Sequence, residues 1–278
     1  MASAAVRKQD NLTRLTRELK DHAASLSVAI GPKPLASQLS KDLFLTHSTS
    51  ERNFAAICES NAIVPQAARA LAEGWALRPD CAEIVLGTSG CTFFYAAPFR
   101  LARTTCGFVF SPTLEFEHVD SGSATPFDSG GLVKPHTVRA DAAEPVEQFF
   151  ARHEVPLDTH REYLGMSMSC LFDEPKDYVE GKPPCHSSPI GLKGGDQRGW
   201  THEVRFETDI AIRGTGHLKA LFAPEFLFAD VRVEPLWAWC ETNRVETFPL
   251  EIPQGGNFEV LQAACLNYFR RELYSGLW

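Results

Sequence analysis

Residues 200–212 constrain this chain more than any other stretch. Trp200, His202, Val204 and Phe206 alternate with Thr201, Glu203, Arg205 and Glu207. A period of two marks a β-strand whose side chains leave on opposite faces. A glycine-rich segment, residues 191–199, leads directly into it. The combination places a carboxylate, Glu203, on a rigid element beside a loop free to handle a substrate. Glu203 is therefore the leading catalytic candidate, although a solvent-facing strand carboxylate would give the same pattern.

The chain has 278 residues, enough for one large domain or two small ones with a sizeable core. Its net charge of -8 argues against a broad electrostatic grip on nucleic acid, which needs clustered Lys and Arg. No apolar run approaches the roughly 20 residues a membrane-spanning helix requires, so no membrane partner is expected. Asp10, Arg14, Arg17, Glu18 and Lys20 interrupt the apolar positions near the N-terminus, where a secretory signal would be continuous. A cytoplasmic location is the expectation. The eight cysteines are scattered without a CxxC pair, which suits buried reduced thiols. The histidines lack HxH and HxxxH spacing, so no metal is expected.

Along the chain, Leu12, Leu15 and Leu19 predict an amphipathic helix over residues 10–22, with Asp10 or Asn11 as its cap. Pro32 and Pro34 mark a linker, so residues 1–35 read as a helical extension and residues 36–278 as a single domain. A strand over 43–49 and a helix over 51–60 follow. Residues 66–90 read as a surface excursion. Strands are expected at 92–97, 106–111 and 217–224, and a short helix at 144–153 with Pro145 in its first turn. Residues 125–131 read as a turn in which Asp128 is an Asx-type residue able to reach a cleft. The stretch 155–198, rich in Pro, Gly, Ser and Asp, reads as irregular. Leu236, Trp237 and Cys240 belong to a short apolar segment. Asn257 caps a final amphipathic helix on which Phe258, Leu261, Cys265 and Phe269 share a face. This order predicts an α+β fold rather than a doubly wound sheet, and neither GxGxxG nor GxxxxGK[ST] is present.

Four segments, in order, resemble the ADP-ribosyltransferase superfamily, and within it the DNA-modifying toxins of the DarT kind. The first is Leu45-Thr-His-Ser-Thr with Asn53 and Asn61-Ala-Ile downstream. The second is Thr92-Phe-Phe-Tyr-Ala-Ala-Pro-Phe-Arg100, the third is Glu203 within His-Glu-Val-Arg-Phe, and the fourth begins His217-Leu-Lys-Ala-Leu. Together they cover about half of the chain. The arginine departs from the family pattern, following Pro-Phe instead of standing in a compact Arg-Ser-Pro-Met run.

The resemblance implies a split, mixed β-sheet and transfer of ADP-ribose from NAD to a macromolecular acceptor, nucleic acid or protein, in a toxin or phage-defence role. Cleavage of the nicotinamide–ribose bond passes through an oxocarbenium-like state that a carboxylate such as Glu203 stabilises. It further implies that Arg100, or Arg103 in its place, grips the pyrophosphate bidentately. Tyr95 would stack on nicotinamide and His47 would bond ribose hydroxyls. Asp196 and Arg198 fall in the segment that would recognise the acceptor.

Each residue also has a plainer reading. Tyr95 fits a core aromatic, His47 a helix cap, Arg100 a surface ion pair, and Asp196 with Arg198 a mutual pair in a solvated turn. An NAD glycohydrolase using the same site, or an inactive nucleotide-binding module of the same fold, would share these residues. A nucleophilic hydrolase has less support: the serines at 88–90 and 165–170 lack a Gly-x-Ser-x-Gly elbow, and Cys185 and His186 are adjacent in sequence.

Overall fold

The computed structural model describes residues 3–26, 33–97, 104–133, 137–140, 143–253 and 256–274. Helix α1 (Ala4–Ser25) is followed by α2 (Pro34–Asp42), strand β1 (Leu45–Thr49), α3 (Glu51–Ser60) and the short β2 (Ala62–Ile63). Helices α4 (Gln66–Glu73) and α5 (Ala82–Val85) lead to β3 (Thr92–Tyr95), β4 (Cys106–Phe110), α6 (Leu114–Glu117) and β5 (Gly122–Thr125). Three helices then intervene, α7 (Val146–Ala151), α8 (His160–Leu171) and α9 (Pro175–Val179). The chain closes with β6 (Glu203–Phe206), β7 (Ile210–Ala211), β8 (Leu218–Pro224), α10 (Glu234–Asn243), β9 (Glu246–Leu250) and α11 (Phe258–Tyr274).

The fold is α+β, built on a mixed seven-stranded sheet of order β5-β6-β3-β1-β4-β8-β9. Every neighbouring pair in it is antiparallel except β8–β9. β2 and β7 make a separate two-stranded ladder. The centre is aromatic. Phe94 meets Phe110 edge-on at 5.5 Å and lies 5.3 Å from Phe206, and Phe54 of α3 stacks on Phe108 at 4.9 Å. At the far edge Phe222 stacks on Phe248 at 4.5 Å and meets Tyr268 of α11.

Several elements form where the sequence pattern pointed. Ser50 caps α3 through Asn53 N–H, and Asn61 ends it in a left-handed conformation (φ 60°). Asn257 accepts from Glu259 N–H at the start of α11. Helix α1, however, begins six residues before Asp10, and Ser3 is its cap. Asn11 is buried instead, its amide donating to the Ala151 and Glu154 carbonyls.

Elsewhere the structure departs from the expectation or adds elements to it. The strand expected over 200–212 breaks after Phe206, and Ile210 and Ala211 pair away from the main sheet. Residues 66–90 keep to the surface, as expected, and hold two helices, α4 and α5. The segment at 236–240 lies in helix α10, opened by Pro235 in its first turn. The stretch 155–198 is not irregular throughout, since α8 and α9 lie within it. Helix α8 carries no amphipathic signature because it is buried on nearly all sides, between α1 and α2. Gly165 permits that approach: a Cβ there would stand 2.8 Å from Ser40 Oγ and 3.3 Å from the Ala36 carbonyl oxygen.

A buried ion cluster locks these layers. Arg161 of α8 donates to both Glu115 carboxylate oxygens, at 2.7 and 2.8 Å. Its remaining arm donates to the carbonyls of Ser40 and Leu43, and His160 Nε2 bonds the same carboxylate at 3.0 Å. Burial opposes the charge on Glu115, but Arg161 and His160 outweigh it and hold its pKa at about 2. Removing one partner strands a buried charge. Arg161→Met is therefore expected to lower unfolding stability by about 3–5 kcal/mol in a urea titration; a loss under about 1 kcal/mol would contradict the account.

Candidate active site

Strand β6 is sandwiched between β5 and β3, and all four of its residues are buried. Glu203 opens the strand in register with Tyr95 on one side and Thr125 on the other. It is 1% exposed, so it is not the solvent-facing strand carboxylate. Just before it, the Tyr178 hydroxyl of α9 donates to Ala96 O (2.9 Å) and accepts from His202 N–H (3.2 Å). That bridge fixes where β6 begins.

Three groups hold the Glu203 carboxylate. Ser129 donates to Oε2 from its backbone N–H (3.1 Å) and its hydroxyl (3.0 Å), and Arg205 Nη1 donates to Oε1 (3.0 Å). Arg205 lies two residues on, on the same side of the strand. Its other arm donates to Ser123 Oγ at 2.9 Å and to Glu154 Oε1 at 3.2 Å, and its guanidinium lies 4.5 Å over the Phe150 ring. Gly122 lets β5 come this close, since a Cβ there would sit 2.7 Å from the Arg205 carbonyl oxygen.

Glu203 forms part of the wall of a cleft of about 220 Å3, together with His47, Glu83, Tyr95, Asp128 and Ser129. The cleft opens beside β1 and β3, whose register is a single pair, Thr46 with Tyr95. Past that pair His47 Nδ1 bonds the Phe93 carbonyl at 2.9 Å. A carbonyl only accepts, so Nδ1 carries the hydrogen and Nε2 is left as an acceptor. Burial lowers the His47 pKa to about 4, with Arg69 adding to the effect, which keeps the ring neutral. A second chamber of about 560 Å3 adjoins the first and shares His47, Ser48, Glu83 and Phe93 with it. Its wall is mostly apolar, including Ala56, Ile57 and Ile63, with Arg69 as a cation and Glu73 and Glu83 as carboxylates.

Asp128 closes the polar end. Its Oδ1 accepts from Gly130 N–H at 2.9 Å, the Asx arrangement, and it caps the turn that presents Ser129. Burial, then the neighbouring Glu203 charge, push Asp128 up to about 7. Burial also raises Glu203, against the pull of Arg205 and Ser129. Burial raises the Tyr95 phenol well above its usual value.

His47, Tyr95 and Glu203 thus meet in one cleft, drawn from β1, β3 and β6. Asp196 and Arg198 pair with each other, Arg198 Nε donating to Asp196 Oδ1 at 3.0 Å. They stand beside the cleft, where the Arg198 carbonyl accepts from Asp128 N–H. Arg100 and Arg103 lie outside the described residues. Sequence reasoning passed over Ser129 and Arg205 as partners of Glu203; for Arg205 the two-residue spacing was a usable signal, while Ser129 had none. Among the described residues, no three His, Cys, Asp or Glu side chains gather as a metal site, and no helix is long and apolar enough to cross a membrane. Compared with known protein families and with curated proteins, the chain matches none.

The raised pKa of Asp128 has a consequence for stability. A carboxylate raised from 3.8 to about 7 contributes fully below pH 4, and that contribution is lost as pH rises through 7. Wild type is expected to lose about 1–4 kcal/mol relative to Asp128→Asn between pH 4.5 and 8, read from denaturant unfolding at each pH. Parallel curves for the two proteins would contradict this.

Proposed function

We propose that this protein has an ADP-ribosyltransferase-type fold and is an NAD-dependent ADP-ribosyltransferase, with Glu203 as its catalytic carboxylate. The observation carrying the reading is the convergence of Glu203, Tyr95 and His47 on one cleft. These are the positions where the resemblance put the carboxylate, the stacking ring and the ribose contact, and they are brought together from points up to 156 residues apart (203 minus 47).

The chemistry suits the electrostatics. Glu203 and Glu154 both pair with Arg205, so the site holds more carboxylate than guanidinium. Such a site favours positive charge, first on the nicotinamide ring and then on the ribose carbon as the bond breaks. Fixed hydrogen bonds to both Glu203 oxygens leave little to reorganise at that moment. A neutral His47 offering Nε2 accepts from a ribose hydroxyl. The adjoining chamber gives an apolar surface for a planar base, and Arg69, whose Nε lies 3.9 Å from Glu73 Oε1, is a cation there for phosphate oxygens. Macromolecule or water as acceptor would use the same bond cleavage.

Glu203→Gln keeps the shape and removes the charge. It is expected to cut nicotinamide release from NAD on the order of 100-fold or more, with folding intact by thermal melt. Release absent from wild type as well, with cell extract supplying acceptors, would overturn the reading in favour of a binding module. Filling the second chamber with Ala56→Trp is expected to raise KM for NAD on the order of tenfold while kcat changes little. An unchanged KM would remove that chamber from the NAD site.

A further inference from the structure

Asp128 is the second carboxylate of the cleft, and the transfer chemistry above leaves it without a task. It caps the turn Ser129–Leu132, whose first residue grips Glu203 twice. The two carboxylates therefore sit on one short scaffold but are held differently. Glu203 has both oxygens engaged, Oε2 by Ser129 and Oε1 by Arg205. Asp128 accepts at Oδ1 from Gly130 N–H, and its Oδ2 carries no hydrogen bond among the described residues. It is 4% exposed and lines the same cleft.

The charged and titratable groups around it come from every neighbouring element. Glu203 and Arg205 stand on β6, Tyr95 on β3, His47 on β1 and Glu83 on α5, with Asp196 and Arg198 in the turn before β6. Among the described residues, the nearby guanidiniums already have carboxylate partners, Arg205 with Glu203 and Glu154, and Arg198 with Asp196. Two buried carboxylates in one cleft do not both ionise easily, and the one with an open oxygen is the one free to exchange a proton with the cleft. A carboxylate with each oxygen engaged serves as a fixed anion. One with an oxygen open to the cleft can take a proton from whatever enters.

We infer that Asp128 is the general base of the site, deprotonating the acceptor while Glu203 remains the fixed anion. The inference rests on the NAD reading and deepens it. In the step, the bond between the ribose carbon and the nicotinamide nitrogen breaks, and its electron pair stays on nicotinamide, which leaves neutral. The acceptor's oxygen or nitrogen lone pair bonds the ribose carbon, and its proton passes to Asp128 Oδ2 and then to solvent. NAD and a protonated acceptor thus give the ADP-ribosylated acceptor, nicotinamide and one proton.

The test is nicotinamide release from NAD with water as the only acceptor, from pH 5 to 9, for wild type, Asp128→Asn and Asp128→Glu. Asparagine retains an oxygen for the Gly130 N–H. The expected result is a wild-type kcat rising through pH about 7. Asp128→Asn should lose that rise and fall on the order of 100-fold in kcat at pH 8 with KM held within a few-fold, and Asp128→Glu should restore part of the rate. If Asp128→Asn matches wild type in rate and pH profile, the inference falls and the NAD reading stands. If the asparagine variant does not fold, wild type still decides, because a kcat flat between pH 6 and 8 overturns the inference. No release from wild type under any condition overturns both.

Discussion

A carboxylate removed from water must be given partners, and the partners of Glu203 organise this half of the molecule. Arg205 supplies the charge and Ser129 two donors. Arg205 is itself buried, so it needs acceptors of its own, which come from Ser123 on β5 and Glu154 beyond α7. Glu154 is in turn held from the N-terminal helix, where Asn11 takes its carbonyl and Arg7 stands 3.9 Å from its carboxylate. The residues after α7 also add a rung along β5, through Val155 paired with Ala124, which covers an otherwise open edge. Helix α1 is thereby tied to the support of the cleft.

The cleft follows from the way the sheet is joined. β1 pairs with β4 over five residues but with β3 at one, so the sheet has a firm half and a loosely joined half. A seam of that kind exposes polar and aromatic side chains from both strands without breaking the aromatic core beneath. The Ser129 turn and α5 wall it, and α3 and α4 extend it into the apolar chamber. Site residues thus stand on strands and a capped turn, where their positions are fixed by packing and hydrogen bonds.

Much of the sheet was legible in the sequence because its strands are apolar runs ended by proline, glycine or a polar turn. β1, β3, β4 and β8 are of that kind, and α3 and α11 carry cap residues in the expected places. What stayed hidden lacks a periodic signal. β5 is Gly-Ser-Ala-Thr, with no side chain large enough to show a pattern. α8 is buried on nearly all sides, so its polar and apolar residues do not sort to faces. In β6 both alternating sets are buried, so the polar set with Glu203 and Arg205 carries the pattern of an exposed face although Arg205 and Ser129 hold Glu203 inside. Of the site, Glu203, Tyr95 and His47 could be singled out from the chain alone. Asp128 read as a turn former, and its place against Glu203 depends on a contact across 75 residues (203 minus 128).

The most direct test is a crystal structure of Glu203→Gln with NAD. The account predicts nicotinamide against Tyr95, its ribose between His47 and residue 203, and adenine in the chamber beside Ala56 and Arg69. NAD bound elsewhere on the protein, or a cleft that stays empty at millimolar NAD, would contradict it.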